Sequence, residues 1–379
     1  MATAPADAQE LIDTAVEQAG LNDFGGDSFR AGLAQLTSSL QEEGRLNEAG
    51  EAFIYPRLVS HLVTRLQVED WYAQHPETDE APLLNPLVGL SLPRTGSTAL
   101  SFLLAQDPDV RYLHTAESGQ PVPPPSVGQG GAPDSQLYSQ QIGTKDHVPT
   151  DVEGPMECLD LMALDFRTMI YEAFARVPSY ASWLNDEDLT STYAYERRVL
   201  KLLQFGETPR PWRLKSPAHM LWVKDILAVF PDARFVMTHR DPTDVLASVC
   251  DVYADILGSF SDEVDLDYVG QVNLEQWSLG ISRVLQLREG PADERFYDID
   301  FRAMLRDPVG EVRALYEWLG QPVTSVFEER MRTWWEVNAE NREAASHSAL
   351  SDYGLDSDDV RPLFADYVAR AEKWTSHRS

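Results

Sequence analysis

The stretch LPRTGSTAL, residues 92–100, lies between two apolar segments and predicts a strand–turn–helix unit. The run Pro86–Leu90 before it is predicted to be a short buried strand, and Ala99–Leu104 after it a helix. The first N–H groups of a helix have no intrahelical partner, so such a turn presents several backbone donors at the positive end of the helix. A phosphate or a sulfate-like anion fits there. An ordinary turn with a capping hydroxyl is equally compatible with this stretch alone.

The turn differs from the loop that holds nucleotide triphosphates. That loop needs four residues between two glycines, followed by Lys and Ser or Thr. Here Gly89 is too far from Gly96, and Ser97 takes the place of the lysine. The cation in the turn is an arginine, and hydroxyls and N–H groups add donors. The predicted anion ligands are therefore Arg94, Thr95, Gly96, Ser97 and Thr98.

Composition limits the class of protein. The 379 residues carry a net charge of −30, which disfavours binding to nucleic acid or to an anionic membrane. No apolar run is long enough to span a membrane, the first residues do not have the order of a secretory signal, and the two cysteines have no metal-ligand spacing. We expect a cytoplasmic protein without stable membrane insertion or bound metal; a homodimer is compatible with the sequence.

Strand patterns alternate with helical ones, which predicts an α/β protein of three layers around a central parallel sheet. The first eighty residues are instead predicted to be all helical, with helices at Asp7–Gln18, Asp27–Leu40 and Asn47–Tyr72. We therefore expect an N-terminal helical cap over residues 1–80 and a P-loop-like domain over residues 81–379. The predicted strands are Pro86–Leu90, Val110–Leu113, Trp212–Lys215, Arg234–Thr238 and Glu294–Ile299.

Further helices are predicted from apolar spacing and from Gly and Pro stops. Those that bear on the later comparison are Asp134–Gln141, Met156–Phe166, Met220–Phe230, Val245–Tyr253, Val269–Leu287 and Val360–Trp374.

A second motif, RFVMTHRDPTDVLASVC, begins with the fourth predicted strand. Arg240 leaves the strand end, and Ser248 follows eight residues later, about two turns into the next helix. A guanidinium and a hydroxyl in these positions can bind one anion. In isolation a surface ion pair between Arg240 and Asp241 or Asp244 explains the arginine equally well.

Together the two motifs resemble the binding segments of sulfotransferases that use 3′-phosphoadenosine 5′-phosphosulfate, PAPS. In that family a PRSGST-type segment binds the 5′-phosphosulfate, and an Arg with a Ser eight residues later binds the 3′-phosphate. WRLKSPAHM, FPDARFVMTHRDP, PVPPP, PMECLDLMALDF and YGLD are similar to strings of a bacterial branch. The resemblance runs from about Leu83 to Tyr367.

The resemblance implies in-line transfer of a sulfuryl group from PAPS to a hydroxyl or amine of a small acceptor, leaving 3′,5′-bisphosphoadenosine, PAP. No metal is required for that transfer. Arg94 would neutralise charge on the departing 5′-phosphate, and Lys215 would lie near the bridging oxygen. Arg240 and Ser248 would bind the 3′-phosphate. The aromatic helices within Met156–Leu184 and the loop Gln120–Ser135 favour a hydrophobic acceptor.

The sequence offers more than one candidate for the general base. Related cytosolic enzymes carry Lys-x-His, whereas this chain has Lys215-Ser216-Pro217 and a histidine only at His219. His219, Glu157 and His147 are the candidates, because imidazole titrates near neutrality and a carboxylate in a partly apolar pocket can accept a proton.

A C-terminal loop completes the donor site in the family. Here Arg342 and His347 are the matching cations, although Ala345 stands where glycine is expected. Two other classes remain open: a P-loop nucleotide kinase or NTPase, and a binding protein that retains the nucleotide site without catalysis.

Overall fold

A single parallel sheet forms the centre of the protein. The computed structural model describes residues 7–127, 154–338 and 348–376. Within them five strands run in one direction, in the order β2-β3-β1-β4-β5. The strands are β1 (Leu87–Leu90), β2 (Arg111–Tyr112), β3 (Trp212–Lys215), β4 (Arg234–His239) and β5 (Phe296–Asp300).

The central strand β1 is buried along its whole length and pairs with β3 on one side and β4 on the other. Continuous apolar runs are typical of parallel strands covered on both faces. All five predicted strands are present within one to two residues of their predicted bounds, and the predicted α/β class is confirmed.

Neighbouring residues of a strand face two different apolar layers, as the two-residue repeat of a strand requires. Phe235 and Met237 belong to a large cluster on one face of the sheet, whereas Val236 belongs to a second cluster on the other face. Val88 and Leu87 divide in the same way. The sheet is therefore the middle of three layers.

The N-terminal helices pack into the larger of these clusters. Helices α1 (Ala8–Ala19), α2 (Ser28–Glu43) and α3 (Glu48–Gln74) match the three predicted helices, and their buried apolar side chains share one cluster with the sheet. An Asp7 capping box begins α1 and Gly20 ends it, as their residue types favour. A boundary near residue 80 stays a prediction.

Thirteen further α-helices cover the sheet in the described residues. They are α4 (Ser97–Leu104), α5 (Thr115–Gly119), α6 (Leu159–Ala163), α7 (Pro178–Asp186), α8 (Thr190–Leu203), α9 (Val223–Val229), α10 (Pro242–Phe260), α11 (Leu266–Leu287), α12 (Phe301–Arg306), α13 (Pro308–Leu319), α14 (Ser325–Val337), α15 (Ser357–Leu363) and α16 (Ala365–Ser376).

Some predicted helices have different bounds. The segment Val360–Trp374 forms two helices, α15 and α16, because Pro362 supplies no N–H donor and Phe364 leaves helical geometry with φ −111°. Met220–Phe230 is split between a 3₁₀ turn, Pro217–Leu221, and α9. Met156–Phe166 is α-helical only in α6. The predicted helix Asp134–Gln141 lies outside the described residues.

None of the helices that the structure describes combines the length and hydropathy needed to cross a bilayer.

A buried ion pair ties the last two strands to the segment that follows α11. Asp298 accepts two hydrogen bonds from Arg288, at 2.7 and 2.8 Å, and lies 2.8 Å from Nε2 of His239. Burial alone would raise the pKa of Asp298, but hydrogen bonds from Arg288 and His239 lower it to about 2. Because the folded pKa is below the ordinary value, this stabilisation is present above about pH 4 and is lost as the pH falls towards 2.

Asp298→Asn should therefore strongly destabilise the fold at pH 7, because it removes the buried charge partner of the Arg288 guanidinium and leaves only the half-exposed Asp293. We expect a loss of about 3–5 kcal/mol in the free energy of unfolding, measured by urea titration. Asp293→Asn is the matched control: Asp293 binds Nε of the same arginine at 2.7 Å, but its side chain is 45% exposed. We expect it to cost less than about 1 kcal/mol. Equal losses in the two variants would contradict this account.

Candidate active site

The carboxyl ends of β1, β3 and β4 lie side by side and bring three predicted segments together. The turn 91–96 follows β1, Lys215 ends β3, and Arg240 follows β4. Ligands of open parallel sheets bind at this edge. The candidate site is therefore formed by adjacent strand ends, although its residues are up to 154 positions apart in the chain.

The turn after β1 has an unusual backbone. Arg94 has φ +61° and Gly96 has φ +85°, both in the left-handed region. Gly96 is the N-cap of α4, and the first intrahelical hydrogen bond runs from the Leu100 N–H to its carbonyl, at 3.0 Å. The N–H groups of Ser97 and Thr98 therefore point out of the helix end, where an anion can accept hydrogen bonds from them.

Thr95 has a different role from the one predicted for its hydroxyl. Its side chain is completely buried, and Oγ1 contacts the Leu92 carbonyl at 2.8 Å, Ser91 Oγ at 3.1 Å and Thr238 Oγ1 at 2.6 Å. The hydroxyl thus fastens the turn to the end of β4 through protein partners. Among the side chains of the turn, Arg94, Ser97 and Thr98 remain the candidate ligands.

Arg94 joins the two sequence motifs physically. Its Nε donates a hydrogen bond to Ser248 Oγ at 3.0 Å, and its carbonyl accepts one from Arg240 Nη1 at 3.1 Å. Ser248 is buried on α10. The alternative ion pair between Arg240 and Asp244 is present only as a 4.0 Å contact with an exposed carboxylate. The geometry therefore favours a shared site over a surface ion pair.

Lys215 connects this turn to a carboxylate. Its Nζ lies 2.6 Å from Oε1 of Glu157 and 3.4 Å from Oγ1 of Thr98. The Lys215 side chain is nearly buried, whereas that of Glu157 is 28% exposed. A carboxylate held beside a lysine and open to solvent can receive a proton from a ligand at the anion site.

His219 does not share this position. It is 1% exposed, its Nδ1 lies 2.9 Å from the Tyr193 hydroxyl, and its Nε2 has no hydrogen-bond partner among the described residues. Burial, together with the charge of Lys215, lowers the pKa of His219 to about 3. The geometry and the pKa therefore both argue against His219 as the base. A ring nitrogen of His219 instead lies within 4.8 Å of ligand atoms of Cys158 and Glu196.

Three predicted site residues, His147, Arg342 and His347, lie outside the described residues, and their roles stay predictions. The aromatic segment Met156–Leu184 contributes mainly to the core: Phe166, Tyr171 and Tyr180 are buried in the larger apolar cluster.

Phe301 and Met304 support the site and were missed by the sequence analysis. The Arg240 guanidinium lies 5.1 Å from the centre of the Phe301 ring. The side chains of Phe301 and Met304 both pack against Gly96. One signal was available: Phe301 directly follows the strand β5, which pairs with β4, so its place at the same sheet edge followed from the predicted topology.

The fold and the site define an α/β protein with a candidate anion site in a strand–turn–helix that lacks the lysine of triphosphate-binding loops. Comparison with known proteins specifies the family. The model of the sulfotransferase family matches residues 86–325, so the chain belongs to that family.

Two solved structures are similar over nearly the whole chain. Sulfotransferase STF9 from Mycobacterium avium is 32% identical with a TM-score of 0.88, and the match covers 96% of both chains. Sulfotransferase STF1 from Mycobacterium tuberculosis is 30% identical with a TM-score of 0.85, over 96% of this chain and 99% of that one.

Two further relatives match a shorter part of the chain. The omega-hydroxy-beta-dihydromenaquinone-9 sulfotransferase Stf3 of Mycobacterium bovis and that of Mycobacterium tuberculosis are each 24% identical over 249 residues. The match covers 60% of this chain and 60% of each relative.

Gly96→Ala should disrupt the candidate anion site more than the same substitution at a left-handed glycine elsewhere in the chain. An added Cβ would lie 2.4 Å from Met304 Cε and 2.9 Å from Phe301 Cδ2, in addition to the cost of the positive φ. We expect the free energy of unfolding to fall by about 1–3 kcal/mol. We also expect inorganic phosphate to raise the melting temperature of this variant less than that of the wild-type protein.

Gly20→Ala is the control for backbone strain, because Gly20 has φ +65° and no atom within 4 Å of a Cβ. It should keep the full response to phosphate. If Gly96→Ala also keeps that response, the turn after β1 is not the anion site.

Proposed function

We propose that the protein transfers a sulfuryl group from PAPS to a hydroxyl of a hydrophobic acceptor. The observation that carries the proposal is the hydrogen bonding of Arg94 to both Ser248 and Arg240, which supports a common site for the two predicted phosphate-binding segments. Membership of the sulfotransferase family supports the same reaction class.

The donor would lie across the carboxyl edge of the sheet. Its 5′-phosphosulfate would accept hydrogen bonds from the N–H groups at the start of α4 and would form an ion pair with Arg94. Its 3′-phosphate would bind Arg240 and Ser248. Preorganised donors of this kind stabilise charge that develops in the transition state. No group in this scheme calls for a metal in the transfer itself.

In the transfer step the acceptor oxygen would attack sulfur as the bond from sulfur to the phosphate oxygen breaks. Glu157 would take the acceptor proton, and PAP would leave with the electron pair. Lys215 lies between this carboxylate and Thr98 in the first turn of α4, so its charge can stabilise the departing oxygen. Glu157 is thereby the proposed base.

Apolar residues beside Glu157 support a hydrophobic acceptor. Met156 and Leu159 flank Glu157 and Cys158 in the chain and are only partly buried. The relatives called Stf3 act, by their name, on a hydroxylated menaquinone. We infer a lipid-like or phenolic alcohol as the acceptor class for this chain.

Incubation of the full chain with ³⁵S-labelled PAPS tests the function. We expect label on long-chain or phenolic alcohols, and a loss of about 10²–10³ in rate for Arg94→Ala. Arg45→Ala is the control, since Arg45 also has a positive φ but makes only a 3.9 Å contact with Asp265. Label only on sugars would contradict the acceptor class. No transfer from PAPS, with phosphate transfer from ATP instead, would contradict the function and favour a kinase.

Glu157→Gln tests the base in the same assay. The amide keeps the size of the side chain but cannot accept the proton, so we expect kcat to fall about 10²–10⁴-fold with little change in the affinity for PAP. His147→Ala should keep most of the turnover. The reverse pattern would transfer the role of base to His147.

A further inference from the structure

A cluster of three metal-ligating side chains lies inside the protein, next to the proposed active site but separate from its surface. Cys158, Glu196 and His219 are 0%, 1% and 1% exposed, and one ligand atom of each lies within 4.8 Å of the others. They come from three elements: the residue before α6, the middle of α8, and the 3₁₀ turn after β3.

Two polar atoms of this cluster are unpaired. His219 Nε2 and Glu196 Oε2 are both inaccessible to solvent and have no hydrogen-bond partner among the described residues. A buried polar atom without a partner costs about 1–3 kcal/mol, so two of them in one cluster of residues require an explanation. An occupant that accepts both lone pairs would remove that cost.

We propose that Cys158, Glu196 and His219 bind a zinc-class divalent metal ion. The ligand set is a thiolate, a carboxylate and an imidazole, all common ligands of Zn²⁺. Bond lengths of about 2.0–2.3 Å place ligand atoms about 3.3–3.8 Å apart in a tetrahedron, so the side chains need to close by only about 1 Å. The second oxygen of Glu196 or a water completes four-coordination.

Charge and orientation both fit the ion. The thiol and the carboxyl would each release a proton to solvent on binding, and their two negative charges would balance the ion in a site closed to water. The Tyr193 hydroxyl is 2.9 Å from Nδ1 of His219. Nε2, which has no hydrogen-bond partner among the described residues, is therefore the nitrogen that would bind the ion. Metal-bound histidines are typically held in this way through their other nitrogen.

The ion would have a structural role. Cys158 directly follows Glu157, and its N–H donates to the Lys215 carbonyl at 3.2 Å. A metal on Cys158 and His219 would therefore join the two chain segments that carry the Glu157–Lys215 pair. The sulfuryl transfer itself would not involve it, and the metal proposal does not depend on the proposed reaction.

Metal analysis of the purified full chain, without a histidine tag or chelator, tests the proposal. We expect about one zinc per chain, and after exchange with Co²⁺ an intense thiolate-to-cobalt absorption band. Cys158→Ser should lose the band. Cys250→Ser should keep it, because Cys250 is the other buried free cysteine and its thiol contacts only the Val269 carbonyl in the described hydrogen bonds.

Tyr193→Phe keeps all three ligands and covers the case in which Cys158→Ser does not fold. It should still bind Co²⁺ with the thiolate band but about 10–100-fold more weakly, because the ring of His219 loses its anchor. A folded wild-type protein without stoichiometric metal, and without a thiolate band after Co²⁺ addition, would overturn the proposal and indicate a trapped water. A band that persists in Cys158→Ser would also overturn it.

Discussion

The contact between Arg94 and the segment 240–248 is the constraint on which the site depends. Arg94 has a left-handed backbone, and its two hydrogen bonds, from Nε to Ser248 and from Arg240 to its carbonyl, bridge the first and second motifs. The buried Thr95 hydroxyl fixes the same turn to the end of β4. A strained turn of this kind persists only where the surrounding structure determines it. Here β1, β4, α4 and α10 all contact the turn or its neighbours, and they hold the candidate anion site in one conformation.

The sheet follows directly from that constraint. The two motifs can meet only if β1 and β4 are neighbours with their carboxyl ends on the same edge, which the parallel pairing of Leu90 with Met237 provides. The turn carries Ser97 where triphosphate-binding loops have lysine, and its cation is Arg94. A guanidinium with a fixed fork suits recognition of a compact anion from two sides. This difference separates the proposed phosphosulfate donor from ATP.

Much of this arrangement was predictable from the sequence. The strands and the N-terminal helices depend on local patterns, which the sequence carries, and the resemblance to PAPS-dependent sulfotransferases linked the Arg94 segment with the Arg240 and Ser248 segment. The direct hydrogen bonds of Arg94 to Ser248 and Arg240 were not predicted. The inward hydroxyl of Thr95 and the burial of His219 were not predictable, because side-chain direction in a turn is set by packing against residues distant in the chain. The cluster of Cys158, Glu196 and His219 was not predictable either. Cys158 and Glu196 are 38 positions apart and Glu196 and His219 are 23 apart, and these separations match no metal-ligand spacing.

The central claim is that both motifs hold the two ends of one nucleotide. Calorimetric titration with PAP and with adenosine 5′-phosphate tests it most directly, because the two ligands differ in the 3′-phosphate. The account predicts that the wild-type protein binds PAP about 10–100-fold more tightly, the value of charge-assisted hydrogen bonds to one phosphate. It also predicts that Arg240→Ala removes most of this preference while adenosine 5′-phosphate still binds. Equal affinities in the wild-type protein, or an unchanged preference in Arg240→Ala, would contradict it.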